Sequence, residues 1–561
     1  MADTTVDKAL DRPDYTSPLS IGDFRLRELT LHSPSNDGVL ELDTPSVFVE
    51  LNIYEDLFSN VLKGTFVFMD TQGWAESVPL IGDETLILSY STPGGEGTQV
   101  ATNTTTRESQ TASEEAVRQR FKVYDCIEVG TGDRAKLFKL FFVSEEYVFS
   151  SKMKVSKGYK GRKYSFAVQD VMNKINKNMR SDLKKNVYIE ETATPQNFII
   201  PNWNPFQAIN FCASRSLSAD VTPQDQEGEN VNPSPRPLGS LFVFYEKLGT
   251  GFFYESIESM IIKQKSQTEL PLFQYGPKLA DGRRDSGEGY LGYNYSAVEN
   301  FDIKSSFKTL ESLKHGMFGS RLIAYDPIRM KYDEVKFDYY EKKNATTQRV
   351  NDETGVTEET TNPDDKDDSQ RRFADFIATD VNPKDKKQNK LISTNSDFVG
   401  SNEASVKLAT TTRSHDEMFS PVKDVATANT TSNTTKTTTS IGVSATTFKD
   451  IESKPNRVED WLLQRQMQVH EFGSIVVAFT ISGNSSRHVG DLVRFEIPST
   501  IPDDDPEFMG VQLGHQLYSG LYLISKIRHI ISKTGYNMDI ELIKNSFAKR
   551  IPGQVTEEAT E

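Results

Sequence analysis

The feature that most constrains this chain is an order of parts that occurs twice. Gly82-Asp83 opens a strand ending in Ser91-Thr92-Pro93, and Gly490-Asp491 opens a strand ending at Pro498, followed by Ser499-Thr500. A long polar loop comes next in each case, and then a further pair of strands. That pair is read at 140–149 with 163–168 in the first region, and at 521–531 with 536–543 in the second. A repeated order of elements is the mark of a duplicated structural unit. With two like units per chain, a ring of three copies presents six nearly equivalent units around one axis, which suits an adaptor between threefold and sixfold partners.

The strands are read from period-two alternation. Val47, Val49, Leu51 and Ile53 fall on one face with Glu50 and Asn52 on the other, and short runs follow at 65–69, 85–90, 121–129, 139–149 and 163–168. Near the C-terminus Ile475, Val477, Phe479 and Ile481 alternate, as do Tyr536, Met538, Ile540 and Leu542 against Asn537, Asp539 and Glu541. Between these regions the period changes. Val171, Met172, Ile175 and Met179 suit a helix after Gln169, and Asn204-Pro205 announces another, a capping residue followed by proline at the first helical position. Helices near 256–263 and 307–314 flank strands at 240–246, 321–325 and 334–340, and Val458, Trp461, Leu462 and Val469 mark one more helix.

The expected organisation is mainly β with an α+β middle region: two antiparallel β-barrel domains, the second read as a small barrel or sandwich, flanking a mixed α/β domain, with long polar insertions. Residues 1–20 form an N-terminal arm, 21–169 the first barrel with an exposed loop at 92–117, and 170–342 the mixed domain with a proline-rich loop at 219–239. Residues 343–450 form an acidic and Thr-rich insertion, 451–547 a helix plus the second barrel, and 548–561 an acidic tail. The stretch 351–368 holds eight acidic residues and one lysine, and 425–447 is mostly Thr, Ser, Ala and Asn. Neither buries enough apolar surface to offset ordering at about 1 to 2 kcal/mol per residue, so extended or disordered structure is expected unless a partner holds it. A Thr-rich segment also suits addition to a neighbouring sheet edge.

Composition narrows the function. Apolar residues make up 36%, with aromatics at 10% and a net charge of −16. The pI near 5.1 opposes tight binding to phosphate backbones, which needs clustered Lys and Arg. No run approaches the ~18 apolar residues of a membrane span, and the first residues lack a basic-then-apolar leader, so the reading is a soluble, unexported chain. Cys126 and Cys212 are far apart, without a CxxC, and read as two small hydrophobes rather than a disulfide or zinc site.

Catalytic and metal-binding patterns fail one by one. No GxSxG or cysteine-protease signature occurs. His470-Glu471 begins like HExxH, but Phe472, Gly473 and Ser474 follow, so the second ligand is missing. Histidines 32, 315, 415, 470, 488, 515 and 529 never pair at ligand spacing along the chain. Gly130-Thr131-Gly132-Asp133 reads as a turn, Asp503, Asp504 and Asp505 as a solvated loop without EF-hand spacing, and the sequon at Asn103 means little without export. No catalytic, cofactor-binding or metal residue is assigned, and no cofactor is expected.

Four segments carry a resemblance: LNIYEDLFSNVLKGTFVFMDTQGWAESVPLIGDETLIL (51–88), NWNPFQAINFCASRS (202–216), LFVFYEKLGTGFFYESIESM (241–260), and SGNSSRHVGDLVRFEIP with YSGLYLISKIRHII (482–498, 518–531). They resemble the baseplate central hub of contractile-tailed bacteriophages, related to the VgrG hub of type VI secretion. The resemblance spans both β regions and the middle, with no counterpart for 92–117 and 343–450. It implies that the two β-barrel domains are tube-forming and that the chain is a non-enzymatic homotrimer in the virion tail baseplate, assembled in the host cytoplasm. The implied partners are a central spike protein, tail tube or tube-initiator proteins and baseplate wedge proteins, with the tape measure protein as a further candidate. DNA would pass without specific binding, and no membrane partner is implied. The competing readings are a hub-associated peptidoglycan hydrolase and a peripheral receptor-binding tail protein.

Overall fold

The structure, a computed structural model, describes residues 22–92, 117–219, 239–277, 296–338, 458–498 and 518–544, with short gaps, and three short strands at 348–350, 357–359 and 406–410. The expectations for the arm, for 93–116, for most of 219–239 and of 343–450, for Asp503 to Asp505 and for the tail lie outside these residues.

The fold is mainly β. Seven strands come first: β1 (Arg25–His32), β2 (Val39–Glu41), β3 (Phe48–Asp56), β4 (Lys63–Asp70), β5 (Thr85–Ser91), β6 (Val117–Thr131) and β7 (Lys136–Ser144). The middle region holds α1 (Glu145–Lys152), β8 (Val155–Arg162), α2 (Tyr164–Asn178), β9 (Asn186–Ile189), β10 (Gln196–Trp203) and α3 (Pro205–Ala213). It continues with β11 (Phe242–Lys247), β12 (Gly251–Ser256), α4 (Ile257–Lys265), β13 (Leu272–Tyr275), β14 (Ala297–Val298) and β15 (Phe301–Ser306). Then come α5 (Thr309–Lys314), β16 (Gly319–Asp326), β17 (Lys331–Asp338), β18 (Gln348–Val350), β19 (Thr357–Glu359) and β20 (Val406–Thr410). The last elements are α6 (Val458–Phe472), β21 (Ile475–Ser482), β22 (Leu492–Glu496), β23 (Gly520–Ser532) and β24 (Gly535–Lys544).

The duplication is present at the level of strand connectivity. β3, β4, β7, β6 and β5 lie side by side in that order, every neighbour antiparallel. β15, β21, β24, β23 and β22 repeat it. In chain order each set reads first, second, fifth, fourth, third. One irregularity is also shared: β6 slips register against β7 between Val123 and Asp125, and β23 slips against β24 between Ile524 and Lys526, while the second slip of β6, between Glu128 and Gly130, has no counterpart in β23. Just before each slip an N–H reaches the residue preceding the third strand, Val123 to the Glu84 carbonyl at 2.9 Å and Ile524 to the Asp491 carbonyl at 3.0 Å. Bulges are retained structural devices, so a shared one marks a shared plan. The sixth strands differ, since β1 joins β5 antiparallel whereas β13 joins β22 parallel.

The two units meet edge to edge. β23 pairs antiparallel with β3, from Lys526 opposite Asp56 to Ser532 opposite Glu50, so both belong to one 14-stranded sheet. Alternation explains which side is buried. Val477, Phe479, Ile481, Met538, Ile540 and Leu542 enter a core that also takes Leu51, Phe66, Leu88 and Tyr90 from the first unit. Tyr90 and Tyr536 meet edge-on across the units, ring centres 5.8 Å apart.

The middle region has its own core, in which Ala167, Val168, Val171, Met172 and Ile175 of α2 pack with Phe206, Ile209 and Cys212 of α3 against Phe244 and Phe252. The start of α3 follows the sequence, with Pro205 in its first turn and the Gln207 side chain accepting the Asn204 N–H at 3.2 Å.

Two sequence readings are corrected. The paired strands of the first unit are β6 and β7, not 140–149 with 163–168; residues 145–152 and 164–178 are helical. Helix α2 begins at Tyr164, not after Gln169, and crosses the boundary drawn at 169/170. From the long insertion, β20 adds a parallel strand to β16, Val406 opposite Arg321. That is sheet-edge addition within the chain, while the tract 425–447 lies outside the described residues.

Candidate functional site

The strands flanking the junction, β3, β23, β24, β21 and β15, turn their second face outward. Because the pleat alternates, most buried apolar residues there have a polar or charged neighbour on that face, Val477 between Val476 and Ala478 being an exception. Together they line an open groove of ≈ 630 Å³ whose charged residues include Asp302, Lys304, Lys526, Arg528, Asp539 and Glu541.

The charges are matched almost pair by pair. Arg528 donates from Nε to Asn52 Oδ1 at 2.9 Å and lies 3.7 Å from Glu50 and 3.5 Å from Asp539. Thr480 donates its hydroxyl to Asp539 at 2.7 Å. Glu541 receives Lys526 at 2.9 Å and Lys304 at 3.3 Å. Burial pulls the Glu541 carboxyl up, but Lys526 outweighs it and holds the group below its ordinary value. Exposed pairs of this kind contribute little stability each. Their consequence is electrostatic: cations already engaged by carboxylates offer little to a phosphate backbone, whose binding depends on counterion release by free Lys and Arg.

Behind this face lies a buried ionic knot. Glu55, at the end of β3, accepts the Leu248 N–H at 3.2 Å and the Val489 N–H at 3.3 Å, and faces His488 Nδ1 and His529 Nε2, each at 3.3 Å. Burial raises the Glu55 carboxyl, yet His488 and then His529 override it and hold it far below the carboxylate range. His488 is lowered by burial but raised overall by Glu55. The other nitrogen of His529 is 2.7 Å from the Tyr536 hydroxyl. The knot joins the first unit, the second unit and the middle region at one carboxylate.

Histidines that look isolated along the chain therefore gather in space. His488 and His529 share Glu55, and His315 stacks on His470 with ring centres 4.7 Å apart. Separations of tens to hundreds of residues leave no local signal for this. Among the described residues no group of three or more His, Cys, Asp and Glu is arranged to hold a metal ion. Cys212 is buried and Cys126 half-buried, and burial pushes their thiols up to about 12 and about 11, away from the reactive thiolate. No described helix is long and apolar enough to cross a membrane.

No family model and no curated protein matches this chain. Among solved structures it is similar to a tail protein from Neisseria meningitidis MC58, at 9% identity and TM-score 0.42, covering 93% of this chain and 97% of that one. It is similar to the 43 kDa tail protein of prophage MuSo2 from Shewanella oneidensis, at 8% identity and TM-score 0.40, covering 92% and 98%. It is also similar to the E. coli c3393 protein, a component of the type VI secretion system with structural similarity to the T4 bacteriophage tail proteins gp27 and gp5, at 8% identity and TM-score 0.33, covering 91% and 76%.

Proposed function

We propose that this chain is a structural, non-enzymatic hub of a contractile-tail baseplate. It forms a homotrimeric ring that adapts a sixfold tail tube to a threefold central spike and lines the channel through which DNA passes. The observation that carries this reading is the duplicated five-strand unit, alike in strand order, strand direction and bulge. One chain supplies two such units already joined edge to edge, so threefold symmetry yields six near-equivalent positions.

The charged sheet face fits a channel wall. Its carboxylates engage its cations, which leaves little to grip a passing polyanion. The middle region, with its own core, braces the ring from outside. Tail tube, spike and wedge proteins are the partners this role requires.

Light scattering and native mass spectrometry of the purified chain over a hundredfold concentration range test the proposal. A trimer is expected, and it should retain no duplex DNA at physiological salt. A particle that stays monomeric at every concentration, alone and with tube and spike proteins, overturns it.

A further inference from the structure

We propose that the copies of this chain join by strand pairing: β15 of one copy adds antiparallel to the open edge of β6 in the next, in the register that β3 makes with β23 inside the chain. This rests on the ring proposed above and specifies how it closes.

The argument starts from equivalence. Each repeated unit has a first strand, β3 or β15, and a fourth, β6 or β23. Inside the chain the first strand of the first unit lies on the fourth strand of the second. On β23, one edge is filled by β24, while the other is shared by β22 over Gly520 to Leu523 and by β3 over Lys526 to Ser532. On β6, one edge is likewise filled by β7, and the other takes β5 only over Val117 to Lys122. Beyond that point no described strand covers it. The open stretch is the counterpart of the one that β3 occupies on β23.

β15 presents the complement. β21 fills one of its edges, from Phe301 opposite Phe479 to Ser306 opposite Ile475, and among the described residues no strand lies on the other. In β3 that second edge is the one that holds β23. Among the described residues there is therefore one used and one unused copy of the same joint.

Exposure marks the unused joint. Lys526 to Ser532 of β23 alternate between buried and half-covered beyond the exposed Lys526, whereas Tyr124, Ile127 and Val129 of β6 are 54%, 46% and 57% exposed. A long bare strand edge with apolar side chains is a template for pairing with another chain. The occupant it fits is a second copy, because the matching first strand is in the chain itself.

The bulges fix the register. Aligning the slips after Val123 and Ile524 sets Glu128 at the position of His529 and Ile127 at that of Arg528. Aligning β15 with β3 through Phe479 and Phe66 sets Ile303 at the position of Ile53 and Ser305 at that of Tyr54. Inside the chain Ile53 faces His529 and Tyr54 faces Arg528. Between copies, Ile303 therefore faces Glu128 and Ser305 faces Ile127, with Lys304 the extra residue between them in the chain.

Cysteine pairing in the full-length chain tests this. In a Cys126→Ser background, Ile303→Cys with Glu128→Cys should, on mild oxidation, give linked dimers and trimers on a non-reducing gel, with trimer the largest species. Ile303→Cys with Arg118→Cys, where β5 already covers β6, should give none. The single-cysteine variants should keep the parent circular dichroism, which separates loss of fold from loss of pairing. A trimer by native mass spectrometry in which the first pair fails to link overturns the strand pairing and leaves the ring standing. A chain that stays monomeric at every concentration, alone and with tube and spike proteins, overturns both, and an open ladder beyond three overturns ring closure.

Discussion

Replacing Glu55 by Gln tests whether the buried knot fastens the two β units together. The carboxylate uses both oxygens: Oε1 accepts the Leu248 N–H and faces both histidines, and Oε2 accepts the Val489 N–H. Gln keeps one acceptor oxygen. Placed with its oxygen among the three partners, it turns its NH2 toward the Val489 N–H, donor against donor, and strands a buried group. An orphaned buried donor costs about 1 to 3 kcal/mol. Removing one member of a buried ion pair costs about 3 to 5 kcal/mol. Because 17% of the His488 side chain stays exposed to water, the lower end applies, about 3 kcal/mol.

The pH dependence follows from the two shifts. The depressed Glu55 carboxyl contributes above its ordinary value of 4.5 and loses that contribution only as pH falls far below it. The raised His488 contributes fully below its ordinary 6.5 and loses that as pH rises through its higher folded value. In Glu55→Gln, His488 keeps only Asp491 as a raising partner. Urea midpoints followed by tryptophan fluorescence should therefore differ most between parent and variant near pH 5 to 6, and the gap should shrink by pH 9. Equal midpoints at pH 6, or a gap that does not change with pH, refute the reasoning.

Other substitutions probe separate parts of the fold. A Cβ at Gly64 would overlap the Phe142 ring and the Asn52 carbonyl, so Gly64→Ala should lower stability by about 1 to 3 kcal/mol, read as a lower urea midpoint. Lys185 reaches the buried carboxylates of Glu146 and Glu246 at 2.9 and 2.5 Å. Burial pushes Glu146 up to about 7 even against Lys185, and a raised carboxyl weakens the fold as pH climbs from 4.5 through that value. Lys185→Ala should cost about 3 to 5 kcal/mol, measured by urea titration, and more at pH 8 than at pH 5. Burial pushes Lys544 down to about 7, so the fold favours its neutral form and its penalty, full below about pH 7, fades toward pH 10.5. Lys544→Met gives up the bond to the Ser519 carbonyl and the ammonium contact with the Tyr522 ring, yet should raise the thermal midpoint at pH 7, worth roughly 1 to 3 kcal/mol, and flatten the rise in stability between pH 7 and 10.

The second unit is the more legible in sequence, because Ile475 to Ile481 and Tyr536 to Leu542 alternate cleanly where one sheet face is buried and the other wet. In the first unit, the apolar run of β7 continues into Glu145 to Phe149 without a turn signal, and the helix starting at Glu145 is held by tertiary contacts: Glu146 is buried against Lys185. Tyr164, Phe166 and Val168 alternate like a strand, but Ala167, Val171 and Ile175 continue the helical period and decide the outcome. The duplicated order survives this because its other landmarks, Gly82-Asp83 and Gly490-Asp491, sit before the third strand of each unit. The joint between β3 and β23 and the Glu55 knot unite residues more than 400 positions apart, a separation at which local pattern carries no information.

A reconstruction by electron microscopy of the assembled particle, alone or in an intact tail tip, tests the duplicated-ring account most directly. It should show three chains forming six similar β lobes around an open axis, with the charged face of β3, β23, β24, β21 and β15 turned toward the opening. A particle without an axial opening, or one whose lobes do not repeat six times around the axis, contradicts it.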